Sequence, residues 1–230
     1  MGLESFLIRI KDYIFPVFCL GCKKEGDWLC ENCFIKLNLT GVFACPVCHL
    51  STDRGIVCQN CLEKSVLNSH IAITKYEENG LVGKVIQTLK YSWAEDVLIV
   101  IEQMIERFVD NYPELFINID FVVPVPLHKK RYVERGFNQA ELIVRLVAKK
   151  INKPFKNVVE RTRYTKQQAK LNRADRLENL QEAFSSKEKL LGNILLVDDV
   201  FTTGSTMQEC AKALKNAGVD KVVGFSIARG

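Results

Sequence analysis

The chain has 230 residues, of which 47% are apolar, and a formal charge of +5 at pH 7. This length accommodates one α/β domain and a small additional module, and the ordinary apolar content excludes an intrinsically disordered chain. The longest apolar runs, at 97–101 and 121–127, are far shorter than the roughly 20 residues of a membrane-spanning helix, so no transmembrane segment is predicted.

The first fifteen residues carry apolar side chains at helical spacing, and they predict a short amphipathic helix. Charged residues interrupt the apolar positions, so the segment lacks the uncharged core of a secretory signal peptide. We therefore expect the protein to be cytoplasmic.

Eight of the nine cysteines lie in four CxxC pairs within the first 61 residues: Cys19 and Cys22, Cys30 and Cys33, Cys45 and Cys48, and Cys58 and Cys61. Two such pairs supply the four sulfur ligands of a tetrahedral structural zinc site. A disulfide framework is the alternative, but a cytoplasmic chain favours zinc. The sequence predicts two structural Zn²⁺ ions in a domain of residues 1–64.

The sequence does not determine which CxxC pairs bind the same ion, because either adjacent or alternate pairs can share one. The sequential arrangement is favoured, since its short spacers each fit one small hairpin. His49, next to Cys48, is interpreted as a surface residue because eight thiolates already complete both sites.

Residues 65–230 show alternating strand and helix patterns. Strands are predicted at 70–76, 121–127, 194–197 and 221–228, and helices at 81–89, from about Ala94 to before Pro113, at 137–151, and after Ser205. This alternation predicts an α/β fold with a largely parallel sheet flanked by helices.

The segment 193–228 is the most informative. An apolar strand leads into Asp198 and Asp199, and a hydroxyl-rich turn around Gly204 precedes a helix. Adjacent carboxylates can accept hydrogen bonds from the two vicinal hydroxyls of a ribose, and a helix start with a tight glycine turn is a natural phosphate seat. Together they predict a sugar-phosphate site.

A purely structural alternative is an acidic turn in which Ser205 or Thr206 caps the helix. Capping explains one hydroxyl but leaves the two neighbouring carboxylates to repel each other without a ligand. Cys210 lies on the apolar stripe of the helix with Met207, Ala211 and Leu214, so it is interpreted as a core residue.

The strand followed by DD and TTGST resembles the motif with which type I phosphoribosyltransferases bind phosphoribosyl pyrophosphate (PRPP). The resemblance implies that Asp198 and Asp199 bind the ribose and that the 5′-phosphate is bound by Thr202, Thr203, Gly204, Ser205 and Thr206. Phe201 departs from the pattern, because most of those enzymes have a smaller aliphatic residue there.

Residues 122–143 and 161–184, with RGFNQA after VPVP, resemble the ComF family of competence proteins, in which a zinc-ribbon domain precedes a phosphoribosyltransferase-like domain. The family fold implies a pyrophosphate loop at Leu127, His128, Lys129, Lys130 and Arg131, supported by Arg135 and Asn138. It also implies a flexible basic loop with Arg163, Lys166, Arg173 and Arg176, and Mg²⁺ bound together with PRPP.

Two functions follow from the resemblance. The first is a role in natural transformation, in which the protein binds PRPP, single-stranded DNA and other DNA-uptake machinery; the second is phosphoribosyl transfer to an unidentified nitrogenous acceptor. The segment 128–176 has fifteen Lys or Arg against four Asp or Glu, which suits either a polyphosphate or a nucleic-acid backbone. For DNA, the predicted contacts include Lys149, Lys150 and Lys153.

Overall fold

A computed structural model describes residues 16–91, 95–162 and 183–230. The predicted N-terminal helix lies outside these ranges, as do Arg163, Lys166, Arg173 and Arg176 of the predicted flexible loop. None of the helices within the described ranges combines the length and the hydropathy needed to cross a membrane.

Residues 16–64 form two successive ribbon-like turns joined by short elements. These elements are helix α1 (Glu31–Phe34), strand β1 (Val42–Phe43) and 3₁₀ helices at Asp53–Gly55 and Gln59–Lys64. An antiparallel bridge closes the first turn between Phe18 and Glu25, and another closes the second between Ala44 and Ser51.

The main sheet combines β1 with four longer strands, β2 (Ser69–Lys75), β3 (Phe121–Pro124), β6 (Asn193–Phe201) and β7 (Lys221–Arg229), while β4 (Val159–Arg161) and β5 (Phe184–Ser186) form a separate antiparallel pair. The strand order of the main sheet is β1-β2-β7-β6-β3. All its neighbours are parallel except β1, which runs antiparallel to β2. The predicted α/β class is confirmed.

The helices of the larger region are α2 (Leu81–Tyr91), α3 (Leu98–Asn111), α4 (Lys129–Arg135), α5 (Gln139–Ile151) and α6 (Ser205–Asn216). Further 3₁₀ turns lie at Glu95–Val97 and Pro113–Leu115. Helix α5 begins two residues later than predicted because Asn138 is its N-cap: its Oδ1 accepts a hydrogen bond from the Ala140 N–H at 3.2 Å.

Two apolar cores lie on the two faces of the sheet, and β6 contributes to both. Leu195 and Val197 pack into the core that includes α2, α3 and α5, whereas Ile194 and Leu196 pack into the core against α6. This is the period of two expected for a strand buried on both faces. The predicted stripe of α6 is confirmed, since Cys210 and its apolar neighbours are buried.

The N-terminal region is joined to the sheet along the free edge of β2. Val42 pairs with Ala72 and Phe43 with Ile71. Gly55 lies so close to β2 that a Cβ at this position would collide with the carbonyl oxygen of His70. The N-terminal region therefore completes the edge of the sheet.

Candidate functional site

The eight predicted metal ligands form two clusters of four cysteines. Cys19, Cys22, Cys30 and Cys33 make the first cluster, and Cys45, Cys48, Cys58 and Cys61 make the second, with all four sulfur atoms of each within 4.8 Å of one another. A tetrahedral zinc with Zn–S bonds near 2.3 Å requires sulfur atoms about 3.8 Å apart. Cys19 and Cys30 lie 3.7 Å apart and Cys48 and Cys58 lie 3.5 Å apart, so each cluster can hold a structural zinc ion, in the sequential pairing.

The backbone around each cluster favours thiolates. Burial raises the pKa of Cys19, but hydrogen bonds from the backbone at Cys22, Cys30 and Gly21 outweigh it and lower this pKa to about 6. The corresponding residue of the second cluster, Cys45, has a pKa lowered to about 6, because backbone hydrogen bonds again outweigh burial. Burial and then the neighbouring thiols raise the pKa of Cys33 and Cys61 to about 12, so each cluster offers one ready thiolate and its other sulfur atoms lose their protons when a metal binds.

A pocket lies at the carboxyl ends of β3 and β6, where ligands of open α/β sheets bind. Part of its wall is the turn after β6. Gly204 has φ +74° and is the N-cap of α6, with no side chain capping the helix. The first N–H groups of this twelve-residue helix therefore face the pocket without a side-chain cap, an arrangement that suits an anion.

The two carboxylates of the motif lie beside this turn, within the last part of β6. Lys90 of α2 places its Nζ 2.5 Å from Oδ2 of Asp199. Burial and the adjacent Asp199 carboxylate raise the pKa of Asp198 to about 8. Burial lowers the pKa of Lys90, but the two carboxylates outweigh it and leave this pKa above its ordinary value. We call Asp198, Asp199 and residues 202–206 the acidic half of the pocket.

Four basic residues also line the pocket, and three elements contribute them: Lys90 comes from α2, Arg131 and Arg135 from α4, and Arg161 from β4. We call these four residues the basic half. Burial lowers the pKa of Arg161, and the positive charge of the nearby Arg131 lowers it further. Against two carboxylates the four cations leave an excess of positive charge for a polyanionic ligand.

Asn138 and Gln139 connect the loop after β3 to α5. The Asn138 side chain donates to the Val125 carbonyl at 3.1 Å, which fixes the loop, and Gln139 accepts from Arg135 at 3.0 Å. Gln139 is only 3% exposed and lines the pocket, yet among the described residues its Nε2 has no hydrogen-bond partner. A buried amide donor without a partner in a pocket points to a polar ligand.

The structure places most predicted residues at this pocket, with two differences in local structure. Asp198 and Asp199 extend β6 instead of lying in the turn, and Lys129, Lys130 and Arg131 lie in the first turn of α4 instead of in a loop. Leu127 and Arg131 line the pocket together with the residues of the acidic half. His128 instead caps α4, accepting from the Lys130 N–H at 3.1 Å, and Lys129 and Lys130 are exposed.

Three polar pocket residues were not among the predicted site residues: Lys90, Gln139 and Arg161. Gln139 and Arg161 carried a signal, since they belong to the RGFNQA run and to the segment 161–184 that were already singled out. Lys90 carried none, because it is one basic residue near the end of an ordinary helix. The arrangement as a whole can accept ribose hydroxyls at the carboxylates, a phosphate at the start of α6, and further negative charge at the basic half.

Comparison with known proteins places this site in a family. Residues 137–227 match the phosphoribosyl transferase domain. The chain is 32% identical to competence protein F of Haemophilus influenzae over 94% of this chain and 98% of that protein. It is 29% identical to competence protein ComFC of Streptococcus pneumoniae, over 90% of each chain.

A third relative, the DNA utilization protein YhgH of Escherichia coli, is 29% identical over 93% of this chain and 97% of its own length. Each of the three matches covers at least nine tenths of this chain, so the likeness extends beyond the transferase domain into the N-terminal region. The chain belongs to the ComF family, with a phosphoribosyltransferase-type domain behind two four-cysteine clusters.

Proposed function

We propose that this protein binds PRPP in the pocket at the end of β6 and serves in the uptake of DNA into the cytoplasm. One observation carries the ligand assignment: a carboxylate pair, an N-terminal helix turn without a side-chain cap and four basic side chains converge on one pocket. A ribose 5-phosphate unit matches the first two features, and a pyrophosphate group matches the third.

Magnesium fits this proposal as a companion of the ligand. Ribose hydroxyls and pyrophosphate oxygens are the hard ligands that Mg²⁺ prefers, and the metal then neutralises part of the charge of PRPP. The protein groups have roles of their own beside the metal: the carboxylates orient the ribose, and the start of α6 holds the 5′-phosphate.

The role in DNA uptake rests on the relatives, two of which are named as competence proteins and one as a DNA utilization protein. One surface observation supports contact with single-stranded DNA. Arg145 stacks over the partly exposed ring of Phe155 at 4.7 Å, next to Lys149 and Lys153. An aromatic ring among basic side chains can stack a base while the cations contact phosphates.

The test is isothermal calorimetry of the zinc-loaded protein with PRPP, with and without Mg²⁺, and a parallel assay for pyrophosphate release against a panel of bases and single-stranded DNA. We expect saturable PRPP binding that Mg²⁺ strengthens, without release of pyrophosphate. Release with one of the bases would instead support phosphoribosyl transfer. No binding of PRPP would contradict the ligand assignment.

A second test addresses DNA uptake in cells. The gene is introduced into Haemophilus influenzae that lacks competence protein F, and the frequency of transformation is counted. We expect the wild-type chain to raise this frequency and a variant without the Asp198 and Asp199 carboxylates to fail, at equal protein level. Equal transformation frequencies with both chains would show that the role in DNA uptake does not depend on the two carboxylates of the pocket.

A further inference from the structure

The buried residue Arg229, at the end of β7, contacts the second cysteine cluster. It is 4% exposed, and its guanidinium donates to two successive backbone carbonyls of the N-terminal region. Nη1 lies 2.7 Å from the Ala44 oxygen and Nη2 lies 2.7 Å from the oxygen of Cys45, a ligand of the second cluster. This side chain is therefore a direct link between β7 and the metal site.

The charge of the buried Arg229 needs an anion, and the second cluster can supply it. Burial lowers the pKa of this guanidinium, while the Cys45 and Cys48 thiolates raise it. A zinc ion with four thiolates carries two negative charges in total. Since a buried charge is tolerated only when it is paired, the loaded cluster is the counter-ion that the arginine requires.

The guanidinium also contacts two histidine rings. Its Nη1 lies 3.3 Å from Nδ1 of His70, which is fully buried. Burial and then Arg229 hold the pKa of His70 well below its usual range, so this imidazole is uncharged. Nη2 lies 3.3 Å from Nδ1 of His49, which follows the cluster ligand Cys48.

On its other side, Arg229 contacts Phe201, which precedes residues 202–206, the proposed binding site of the 5′-phosphate. We call residues 202–206 the phosphate turn. Its Cζ lies 4.9 Å from the centre of the Phe201 ring, and the two residues are paired between β6 and β7. The Phe201 ring stacks on His70 at 3.7 Å and lies directly under Gly204, where a Cβ would collide with the ring. An unbroken series of contacts thus runs from Cys45 through Arg229 and Phe201 to Gly204.

The first cluster has different neighbours. Cys19 and Cys33 pack into the core shared by α2, α3 and α5, and a Cβ at Gly21 beside them would lie 3.1 Å from Leu81. Leu81 begins α2, whereas the pocket residue Lys90 is at the other end of that helix. Nine residues of helix, or about 13 Å, separate the two ends.

We propose that Arg229 is a positioning residue that couples the second cysteine cluster to the phosphate turn. It is the counter-ion of the loaded second cluster and holds Phe201 beneath Gly204, so that metal in the second cluster, and not in the first, sets the affinity of the turn for a sugar phosphate. The inference rests on the proposed function, because it assumes that the turn binds such a ligand.

The test compares two matched variants, Cys48→Ser and Cys22→Ser. Each removes an exposed cysteine at the same position of its own cluster. Zinc per chain is measured by mass spectrometry, and the affinities for ribose 5-phosphate and PRPP are measured by calorimetry. We expect each variant to lose one zinc, but only Cys48→Ser to lose affinity, by at least about 5-fold, the lower end of ordinary coupling between sites.

A second pair of variants tests the arginine itself. Arg229→Met removes the charge at similar length, and we expect it to release the second zinc faster to a chelator and to weaken both ligands, while the first zinc is retained. Arg229→Lys keeps the charge, and we expect it to recover part of the zinc retention. The first zinc and the melting temperature report whether the variants fold.

Three results separate the possible failures. If Cys48→Ser loses its zinc and keeps the wild-type affinity, or if Cys22→Ser weakens the ligands equally, the coupling through Arg229 is overturned. If Arg229→Met keeps both zinc retention and affinity, the counter-ion role is wrong as well. If the wild-type chain binds neither ribose 5-phosphate nor PRPP, it is the proposed function that fails, and this coupling fails with it.

Discussion

The acidic and the basic halves of the pocket are built in opposite ways. Every residue of the acidic half lies within nine consecutive positions, at 198–206, on one strand, the turn that follows it and the first two residues of α6. The basic half comes from positions 90 to 161 and from three separate elements, α2, α4 and β4. Its four residues meet only because the tertiary fold brings these elements together.

This contrast determines which half is more robust. Hydrogen bonds to β7 and β3 hold β6 in the middle of the sheet, so the carboxylates have a fixed frame. The basic side chains are longer and depend on packing between elements, and one of them is engaged with Asp199. We therefore expect the acidic half to determine recognition of the ribose and the basic half to adjust charge and affinity.

The largest expected effect comes from removing the acidic half with Asp198→Asn plus Asp199→Asn. A hydrogen bond to a charged group contributes about 1.5–3 kcal/mol, so loss of both carboxylates should weaken PRPP binding by at least about 100-fold. Inorganic pyrophosphate, which has no ribose, should bind at least as well as before. Calorimetry with both ligands checks this, and an unchanged PRPP affinity would falsify the ribose assignment.

The next largest effect on PRPP binding is expected from Lys90, which connects the basic half of the pocket to the acidic half. Lys90→Met removes the cation next to Asp199. Lys90 lowers the pKa of Asp198, so loss of this positive charge raises that pKa further. Asp198 is then protonated at a higher pH, and as the pH is lowered PRPP binding should be lost at a higher pH than in wild type. At pH 7 we expect about 10-fold weaker binding, the loss of one charged interaction.

Lys84→Met, on the same helix, is the control for this variant, and Lys90→Arg should keep the wild-type pH profile because it keeps the charge. Calorimetry between about pH 6 and 9.5 gives the profile, because this range lies on both sides of the Asp198 pKa of about 8. A Lys90→Met profile that coincides with that of wild type would mean that the lysine does not stabilise the ionised carboxylates.

A smaller effect concerns the stability of the ligand-free protein. Asp198 has a folded-state pKa of about 8, above its ordinary value, so its contribution to stability is full below the ordinary carboxyl pKa and is lost as the pH rises through 8. Asp198→Asn cannot ionise, and it should raise the melting temperature at about pH 8.5 by about 2–4 °C, with little change at about pH 5. A melting temperature of Asp198→Asn that is no higher than that of the wild type at about pH 8.5 would contradict the prediction.

The smallest effect on the pocket is expected from the basic surface at the end of α5. Lys149 pairs with Glu102 at 3.0 Å and Lys150 with Asp110 at 2.6 Å, so these acidic neighbours already offset part of the positive charge of the surface. Replacing Lys149, Lys150 and Lys153 with Gln should leave PRPP binding unchanged. The salt dependence of single-stranded DNA binding should become shallower by at most about 2 in log–log slope.

The control carries Gln at three exposed lysines elsewhere, Lys187, Lys189 and Lys221. Fluorescence anisotropy at several salt concentrations measures the slope. DNA binding that keeps its slope in the α5 variant, or that the control reduces equally, would show that this surface is not the contact.

The same contrast explains what could be predicted from the sequence. The acidic half is contiguous, so one motif revealed all of it, and the four CxxC pairs revealed both clusters for the same reason. Lys90 could not be found in this way. A helix that follows a parallel strand ordinarily runs back from the carboxyl edge of the sheet, so a residue in its last turn is not expected beside Asp199.

The two local differences have physical causes as well. β6 continues through Asp198 and Asp199 because β7 pairs with it as far as Phe201, and pairing of this kind cannot be derived from one strand alone. Residues after His128 become helical because its ring accepts the Lys130 N–H and caps α4. The contact of Phe201 with Gly204 shows the same limit, since the sequence marked this phenylalanine only as a departure from the usual pattern.

The pairing of β1 with β2 has a consequence for a truncated protein that lacks the N-terminal region. Gly41 donates to the Ile73 carbonyl and Val57 to that of Asn68, so backbone groups of the N-terminal region cover the outer edge of the sheet. A chain that begins at residue 65, the predicted domain boundary, would leave this strand edge open. Open edges pair with other chains. We therefore expect the isolated larger region to self-associate, and the cysteine-rich N-terminal region to act as its solubilising cover.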